Sequence, residues 1–595
     1  MRRHGSEAFI GLILLGLLVC APAPAAPERS WEPGLATESG TCIWTAPLEP
    51  RPGQPLEVFA VSTDGALERL NLTDPAGQTR PLRTLAQGGP PWSLYGTVFR
   101  PERGTYRLEA MRHGQVVART EITIGNGMSD RGSGRWDLAT EALYAAWIEH
   151  LFNAPPEQAL TFESLTPVLS DPAQNFLFGY LGANEDNSLR SEPDCADLPY
   201  YLRAYFAWKL GLPISYRACN RGSRSRPPRC ESPIVDTRFV GTRAPIGTFR
   251  EATRRLVDTV HSGSARTGLR DEATDVYPVA LSRETLWPGT LYADPYGHVL
   301  ILVKWLPGDG RTAGRLLAVD AQPDNSVARK RYWEGNFLFA QTASAGPGFK
   351  VFRPLEPKGA GWRLASNAEL DGRSGRPAFS LEQADLDSDS FHARVARIID
   401  PRGLDPVRAY DSVLEALMEQ LETRVTSVDT GERYMREHPG AVVPMPSGPA
   451  IFETVGPWED YATPSRDMRL LIALKVVEGL PERIRRHPEL YALAGEDTAS
   501  AADRVARLHE QRLDARTITY TRSDGSPWRL SLRELYARRA NLEVGYNPND
   551  CVEIRWGATP GSAEAATCGR RAPSDQQTRM ESYRAWFRDT TRPPR

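Results

Sequence analysis

With only seven cysteines among 595 residues, a net charge of −2 and no long apolar run after the first two dozen positions, the chain excludes several classes of protein. The near balance of charge gives no electrostatic reason to expect nucleic acid, a polyanion or a membrane surface as partner. No stretch beyond the N-terminus approaches the length of a membrane helix. Motifs for several chemistries are missing as well. There is no His-Glu-X-X-His, no Cys-X-X-Cys, no phosphate-binding Gly-Lys-Ser/Thr loop and no Gly-X-Ser-X-Gly. The acidic run 385–390 lacks the spaced glycine and final glutamate of a calcium loop and reads as a solvated turn. No metal and no cofactor is expected.

What is present is globular composition, 41% hydrophobic and 25% charged, in a chain long enough for about three to five domains. Arg2 and Arg3, the apolar run 9–19 and the small residues 21–26 have the layout of a secretory leader over residues 1–25. Val19 before Cys20 is a poor fit to lipoprotein processing. The mature chain is therefore expected to be exported, periplasmic or secreted, without a transmembrane segment, in an oxidising compartment. Residues 30–125 alternate in short runs such as Leu56-Glu57-Val58-Phe59-Ala60-Val61, separated by turn signals, and predict an immunoglobulin-like β-sandwich. Such a module more often positions a neighbour or binds a protein partner than performs chemistry. A central α+β domain is expected over 135–355, with helical periodicity at 136–152 and 248–260, helical continuation at 171–181, and strands at 299–303 and 315–319. Residues 360–595 read as mainly helical, with an apolar stripe Tyr410, Val413, Leu414, Leu417 and Leu421 and a hairpin around Asp524-Gly525.

The most informative stretch runs from Asp194-Cys195 to Gly211-Leu212-Pro213. Leu198, Leu202, Tyr205 and Phe206 recur at helical spacing, an acidic residue caps the start, and glycine with proline ends it. Cys195 falls at the first turn, where unpaired N–H groups and the helix dipole are expected to lower its pKa and later to hold an oxyanion. The six cysteines after Cys20 allow fifteen full pairings, among which two close pairs stand out: disulfides Cys219–Cys230 and Cys551–Cys568 would each close a loop, worth roughly 3 kcal/mol in the chain-entropy model. Cys42 and Cys195 remain, and a disulfide between them would remove the nucleophile.

A nucleophilic thiol needs a base, and the base an orienting group. His298 precedes the buried strand 299–303, and Asp320 follows Leu316-Leu317-Ala318-Val319. Strands about 4.8 Å apart let these two side chains meet if the register is right. Gly179-Tyr180-Leu181-Gly182, Asp194-Cys195 and Gly297-His298-Val299-Leu300-Ile301 together resemble the papain-like cysteine hydrolases, namely the NlpC-type peptidoglycan endopeptidases and the transglutaminase-like branch. Ala196-Asp197 replaces the Ser-Gly of the former, and the Val-Asp at Asp320 looks more like the latter. The resemblance covers roughly 170–340. It implies Cys195 as nucleophile, His298 as base and acid, Asp320 as orienter and Tyr180 as oxyanion or substrate donor, with Asn175 and Asp197 as weaker candidates. The implied reaction is cleavage of an amide bond in a peptide or peptidoglycan substrate, or acyl transfer. The alternative is a catalytically inactive scaffold or binding protein.

Overall fold

The computed structural model describes residues 40–593 apart from 130–133, 159, 183, 310–311, 323–324, 373–374 and 453–455. The leader at 1–25, Cys20 and the expected sandwich start at 30 lie outside the described residues.

The N-terminal region consists of β1 (Thr41–Ala46), β2 (Leu56–Ser62), β3 (Arg69–Thr73), β4 (Thr79–Leu82), β5 (Thr84–Gly88), β6 (Trp92–Val98), β7 (Gly104–Arg112) and β8 (Gln115–Ile124). They form two four-stranded antiparallel sheets, ordered β1-β2-β6-β5 and β4-β3-β7-β8. Leu56, Val58 and Ala60 of one sheet share a core with Leu70, Leu72 and Leu108 of the other. β2 is apolar on both faces because its second face, Phe59 and Val61, packs into the next domain, where Phe59 meets Phe176 at 3.6 Å between ring centres.

The central region opens with α1 (Leu138–Leu151), whose cap Asp137 accepts the N–H of Thr140 at 2.9 Å. Then follow β9 (Leu160–Phe162), α2 (Leu165–Ser170) and α3 (Asp197–Leu210), which Gly211 ends in the left-handed conformation at φ 69°. A small ladder of β10 (Ile214–Tyr216) and β11 (Ile234–Asp236) precedes α4 (Ile246–Val257) and α5 (Ser262–Ala265). The remaining strands are β12 (Val276–Pro278), β13 (Leu291–Ala293), β14 (Val299–Leu306), β15 (Arg315–Ala321), β16 (Val327–Tyr332) and β17 (Gly348–Phe352). With β9 they build one seven-stranded antiparallel sheet, ordered β12-β17-β13-β14-β15-β16-β9. Residues 171–181, expected to be helical, are successive turns. The polar side chains there, Asp171 and Asn175, accept backbone N–H groups two residues on and so favour turns over a continuing helix.

Both faces of this sheet are covered. Ile301, Val303 and Val319 face α1 and α3, whereas Leu300, Leu302 and Ala318 face Phe337, Phe339 and Phe391. That double burial is why 299–303 reads as an unbroken apolar run. Phe391 belongs to α6 (Ser388–Ile399), and Leu355 and Leu364 of the hairpin β18 (Leu355–Lys358) and β19 (Gly361–Leu364) pack into the core on the α3 face. The packing of the central region thus runs to about residue 399 rather than 355, and 360–399 belongs with it.

The helical region starts with the 32-residue α7 (Pro406–Glu437) and continues through α8 (Pro457–Tyr461), α9 (Pro464–Glu478), α10 (Leu480–Arg486) and α11 (Thr498–Ala515) to the expected hairpin β20 (Thr517–Thr521) and β21 (Pro527–Ser531). Tyr410, Leu414, Leu417 and Leu421 of α7 pack on Met468, Leu471 and Leu474 of α9. Among the described residues no helix is long and apolar enough to cross a membrane. Both expected disulfides form, Cys219–Cys230 and Cys551–Cys568. Cys42 and Cys195 are not joined to each other, and the Cys42 sulfur accepts the indole N–H of Trp44.

Candidate functional site

The α3 start is built by Asp194. Its carboxylate accepts the N–H groups of Ala196 (2.8 Å) and Asp197 (2.9 Å), and its carbonyl accepts that of Leu198 (2.9 Å). Asp194 is therefore the cap and Cys195 the first residue of the turn. The donors expected to serve a thiolate or an oxyanion are occupied by a neighbouring carboxylate.

His298 is set by a tight turn. Tyr296 donates its N–H to Asp294 Oδ1 at 2.7 Å, Asp294 donates its own to the carbonyl of His298 at 2.9 Å, and Gly297 takes φ 118°, which a side chain rarely tolerates. β14 and β15 pair with Ile301 opposite Val319, so Leu300 stands across from Asp320 and His298 lies diagonal to it on the same face. The side chains meet: His298 Nε2 is 2.6 Å from Asp320 Oδ2. The same oxygen receives Gln322 Nε2 at 2.8 Å and Lys330 Nζ at 2.9 Å. Phe337 lies parallel to the imidazole at 6.5 Å.

Cys195 is half-buried and comes to the end of β14 from the α3 side, where the N–H of Val299 points at its sulfur. Thiol and imidazole are thus one residue apart along the strand end, but Sγ and the ring make no direct hydrogen bond. His298 and Asp320 project from the face shared with Leu300 and Ala318, the one turned away from α3.

The electrostatics reverse one expectation. Burial, then the carboxylate of Asp194, push the Cys195 thiol up to about 12, with Asp320 and Asp197 adding to the rise and only the Val299 N–H opposing it. Helix-start stabilisation is outweighed by burial first and by the neighbouring carboxylates, Asp194 above all, second. Burial and the Asp194 charge also raise Asp197, to about 8. Burial lowers His298, against the pull of Asp320, and Arg469 and Lys330 lower it further. Burial alone would raise Asp320, but Lys330 and His298 hold it far below the usual carboxylate range. At neutral pH the resting site is a neutral thiol, a neutral imidazole and an ionised Asp320 bonded to Lys330.

The helical region contributes to the same site. Arg466, at the start of α9, donates to Gln322 Oε1 at 3.3 Å, and Arg469 lies 3.7 Å from Asp294 Oδ2. Arg592 donates to the carbonyl of Tyr296 at 3.0 Å and to Ser465 Oγ at 2.5 Å, with its guanidinium over the Tyr296 ring. Three arginines from beyond residue 460 thereby grip the turn that carries His298 and the strand end that carries Asp320.

Tyr180 lies in the apolar core, and its carbonyl receives the N–H of Leu48, tying the β-sheets to the central region. Asn175 bridges Trp147, Tyr205 and the carbonyl of Leu169 in that core. Sequence reasoning missed Gln322, Lys330 and the three arginines. Lys330 had a signal, since Arg329-Lys330-Arg331 is a cationic run in a strand flanked by a buried acid. The arginines of α9 had none, because their target lies more than a hundred residues away. The only grouping of His, Cys, Asp or Glu with metal-ligand spacing among the described residues is Cys551, Glu553 and Cys568, and both sulfurs are committed to the disulfide. No family model, no curated protein and no solved structure matches the chain.

Proposed function

We propose that the central region is a papain-like cysteine hydrolase that cleaves an amide bond, with a peptide of the cell wall as the substrate class. The observation that carries the reading is the 2.6 Å contact of His298 Nε2 with Asp320, which leaves Nδ1 unused at a strand end whose next N–H, that of Val299, meets the Cys195 thiol; the ring has to turn toward the α3 side to take the thiol proton. With Nε2 held by the carboxylate, Nδ1 of the neutral ring is the basic nitrogen. His298 takes the Cys195 proton as the sulfur attacks the carbonyl carbon, then delivers it to the leaving amine. Water, deprotonated by the same ring, releases the acid from the thioester. Because the resting thiol is neutral, deprotonation accompanies attack rather than preceding it. An amine in place of water gives the transglutaminase-like outcome from the same groups. The strand orders β1-β2-β6-β5 and β4-β3-β7-β8 agree with an immunoglobulin-like sandwich that positions this domain or a protein partner. The leader and the two disulfides support an exported, periplasmic or secreted protein.

A second reading, an inactive scaffold, is favoured by the ring of carboxylates around the thiol. One assay separates them. Purified protein is incubated with cell-wall peptides and the products are resolved by mass spectrometry. Hydrolysis should fall by at least about 10³-fold in Cys195→Ser and about 10² to 10⁴-fold in His298→Ala. Activity retained in Cys195→Ser overturns the mechanism, and a wild type as inert as the variant selects the scaffold.

A further inference from the structure

The charge of the chain is balanced overall but not locally. Between Cys219 and Cys230 lie Arg221, Arg224, Arg226 and Arg229 with no acid among them. The disulfide closes this loop, and Asn220 stiffens it by accepting the N–H groups of Gly222 and Arg229 at 3.0 Å each. His261 Nε2 contacts the carbonyl of Cys219 at 2.8 Å and anchors the loop to α5. The loop forms one wall of an open groove of about 420 Å³, with the segment after α5 and the loop before β17 as the other walls.

Arg226, Arg229 and Arg270 line that groove, with Asp271 as its one acid and Gln341 and Thr342 as neutral polar groups. All three arginines are exposed, and none lies within ion-pair distance of a carboxylate among the described residues. Arginines elsewhere on this surface are commonly paired, as Arg238 is with Asp236 and Arg363 with Glu369. Like charges gathered in a concavity without partners raise the local potential and destabilise the fold unless an anion neutralises them. A contact with one exposed guanidinium gains little. A ligand that gains from all three carries several negative groups. The lining has no aromatic side chain on which a nucleobase could stack, which disfavours single-stranded nucleic acid. Carboxylates match the planar guanidinium fork.

The geometry points to this groove as a docking site for an acidic peptide segment, held by Arg226, Arg229 and Arg270. The pre-formed, disulfide-closed wall means little ordering is needed on binding. The site is independent of Cys195 and stands whether or not the chain is an enzyme. The full chain is titrated into fluorescein-labelled hexaglutamate and followed by anisotropy. Binding is expected, weakening about tenfold as salt is raised from low to moderate ionic strength. Arg226→Glu with Arg229→Glu should weaken it by at least about tenfold, whereas Arg221→Glu with Arg224→Glu, the same charge change in the same loop outside the lining, should cost less than about threefold. Hexalysine should not bind the wild type. Absence of hexaglutamate binding, equal loss in both double variants, or binding of hexathymidylate as tight as that of hexaglutamate overturns the assignment.

Discussion

The two ends of α3 treat charge in opposite ways. At the C-terminal end Lys209, fully buried, donates to Glu185 Oε1 and Asp186 Oδ2 at 2.6 Å each. Tyr205 donates to the other oxygen of Asp186 at 2.8 Å, and the N–H groups of Gly179 and Leu181 complete the network. Every charge there has an opposite partner and a hydrogen bond, which is the condition under which an ion can be buried at all. At the N-terminal end the Cys195 thiol is pushed up by burial and by Asp194, Asp320 and Asp197, and Lys330 is bonded to Asp320 rather than to the sulfur. A closed network holds shape, while a largely buried thiol beside carboxylates keeps its proton until well above neutral pH. One helix thus carries a structural lock and a titratable site about four turns apart.

Breaking the lock should produce the largest effect. Lys209→Met leaves two acids buried without their cation and should cost about 3–5 kcal/mol in chemical denaturation, whereas Cys195→Ser should change stability by less than about 1 kcal/mol. Equal costs at the two ends would abolish the distinction.

The state of the thiol sharpens it further. With the thiol pushed up to about 12, alkylation of Cys195 by iodoacetamide, in a Cys42→Ser background, should rise about tenfold per pH unit from pH 7 to 10 without levelling. A plateau below pH 7 would mean a thiolate paired with an imidazolium. Asp194→Asn keeps a capping oxygen and removes the nearest charge, so alkylation at pH 8 should quicken roughly threefold to tenfold. The sign for stability follows from the same shift. An unfolded thiol loses its proton near pH 8.5, the folded one only at about 12, so folding weakens as pH rises above the lower value.

The parts of the fold that could be read in advance share a physical cause. The apolar run 299–303, the stripe from Tyr410 to Leu421 and the Asp524-Gly525 turn are local patterns whose period is dictated by the element itself. His298 and Asp320 were legible for the same reason, since each flanks a recognisable strand and antiparallel pairing does the rest. What escaped was non-local. The thiol pKa is raised chiefly by burial that only the packed sheet supplies; Asp194 beside it in the sequence could be read in advance, whereas the smaller push of Asp320 comes from a strand 125 residues further on. The boundary near residue 399 was hidden because α6 is amphipathic like any surface helix, and only the sheet face it covers identifies its domain.

The grip of α9 on the His298 turn gives a smaller loss of stability than the Lys209 lock and the most direct test of whether the helical region belongs to the site. Arg469 stands beside Asp294, which is sealed in the turn and still accepts the N–H of Tyr296 when the arginine is gone. Arg469→Gln takes the cation away from a buried carboxylate, so it should cost about 1–3 kcal/mol, less than at Lys209 because this pair is 3.7 Å long rather than hydrogen-bonded. The Arg469 charge also disfavours protonation of His298. Removing it should move the imidazole titration upward, measured by NMR on the full chain labelled at histidine, and the change should shrink in high salt only slightly because the ring is shielded from solvent. An unchanged or lower imidazole titration would mean that α9 braces the turn sterically without contributing to its electrostatics, and the half-exposed end of α3 would then owe its character to the central sheet alone.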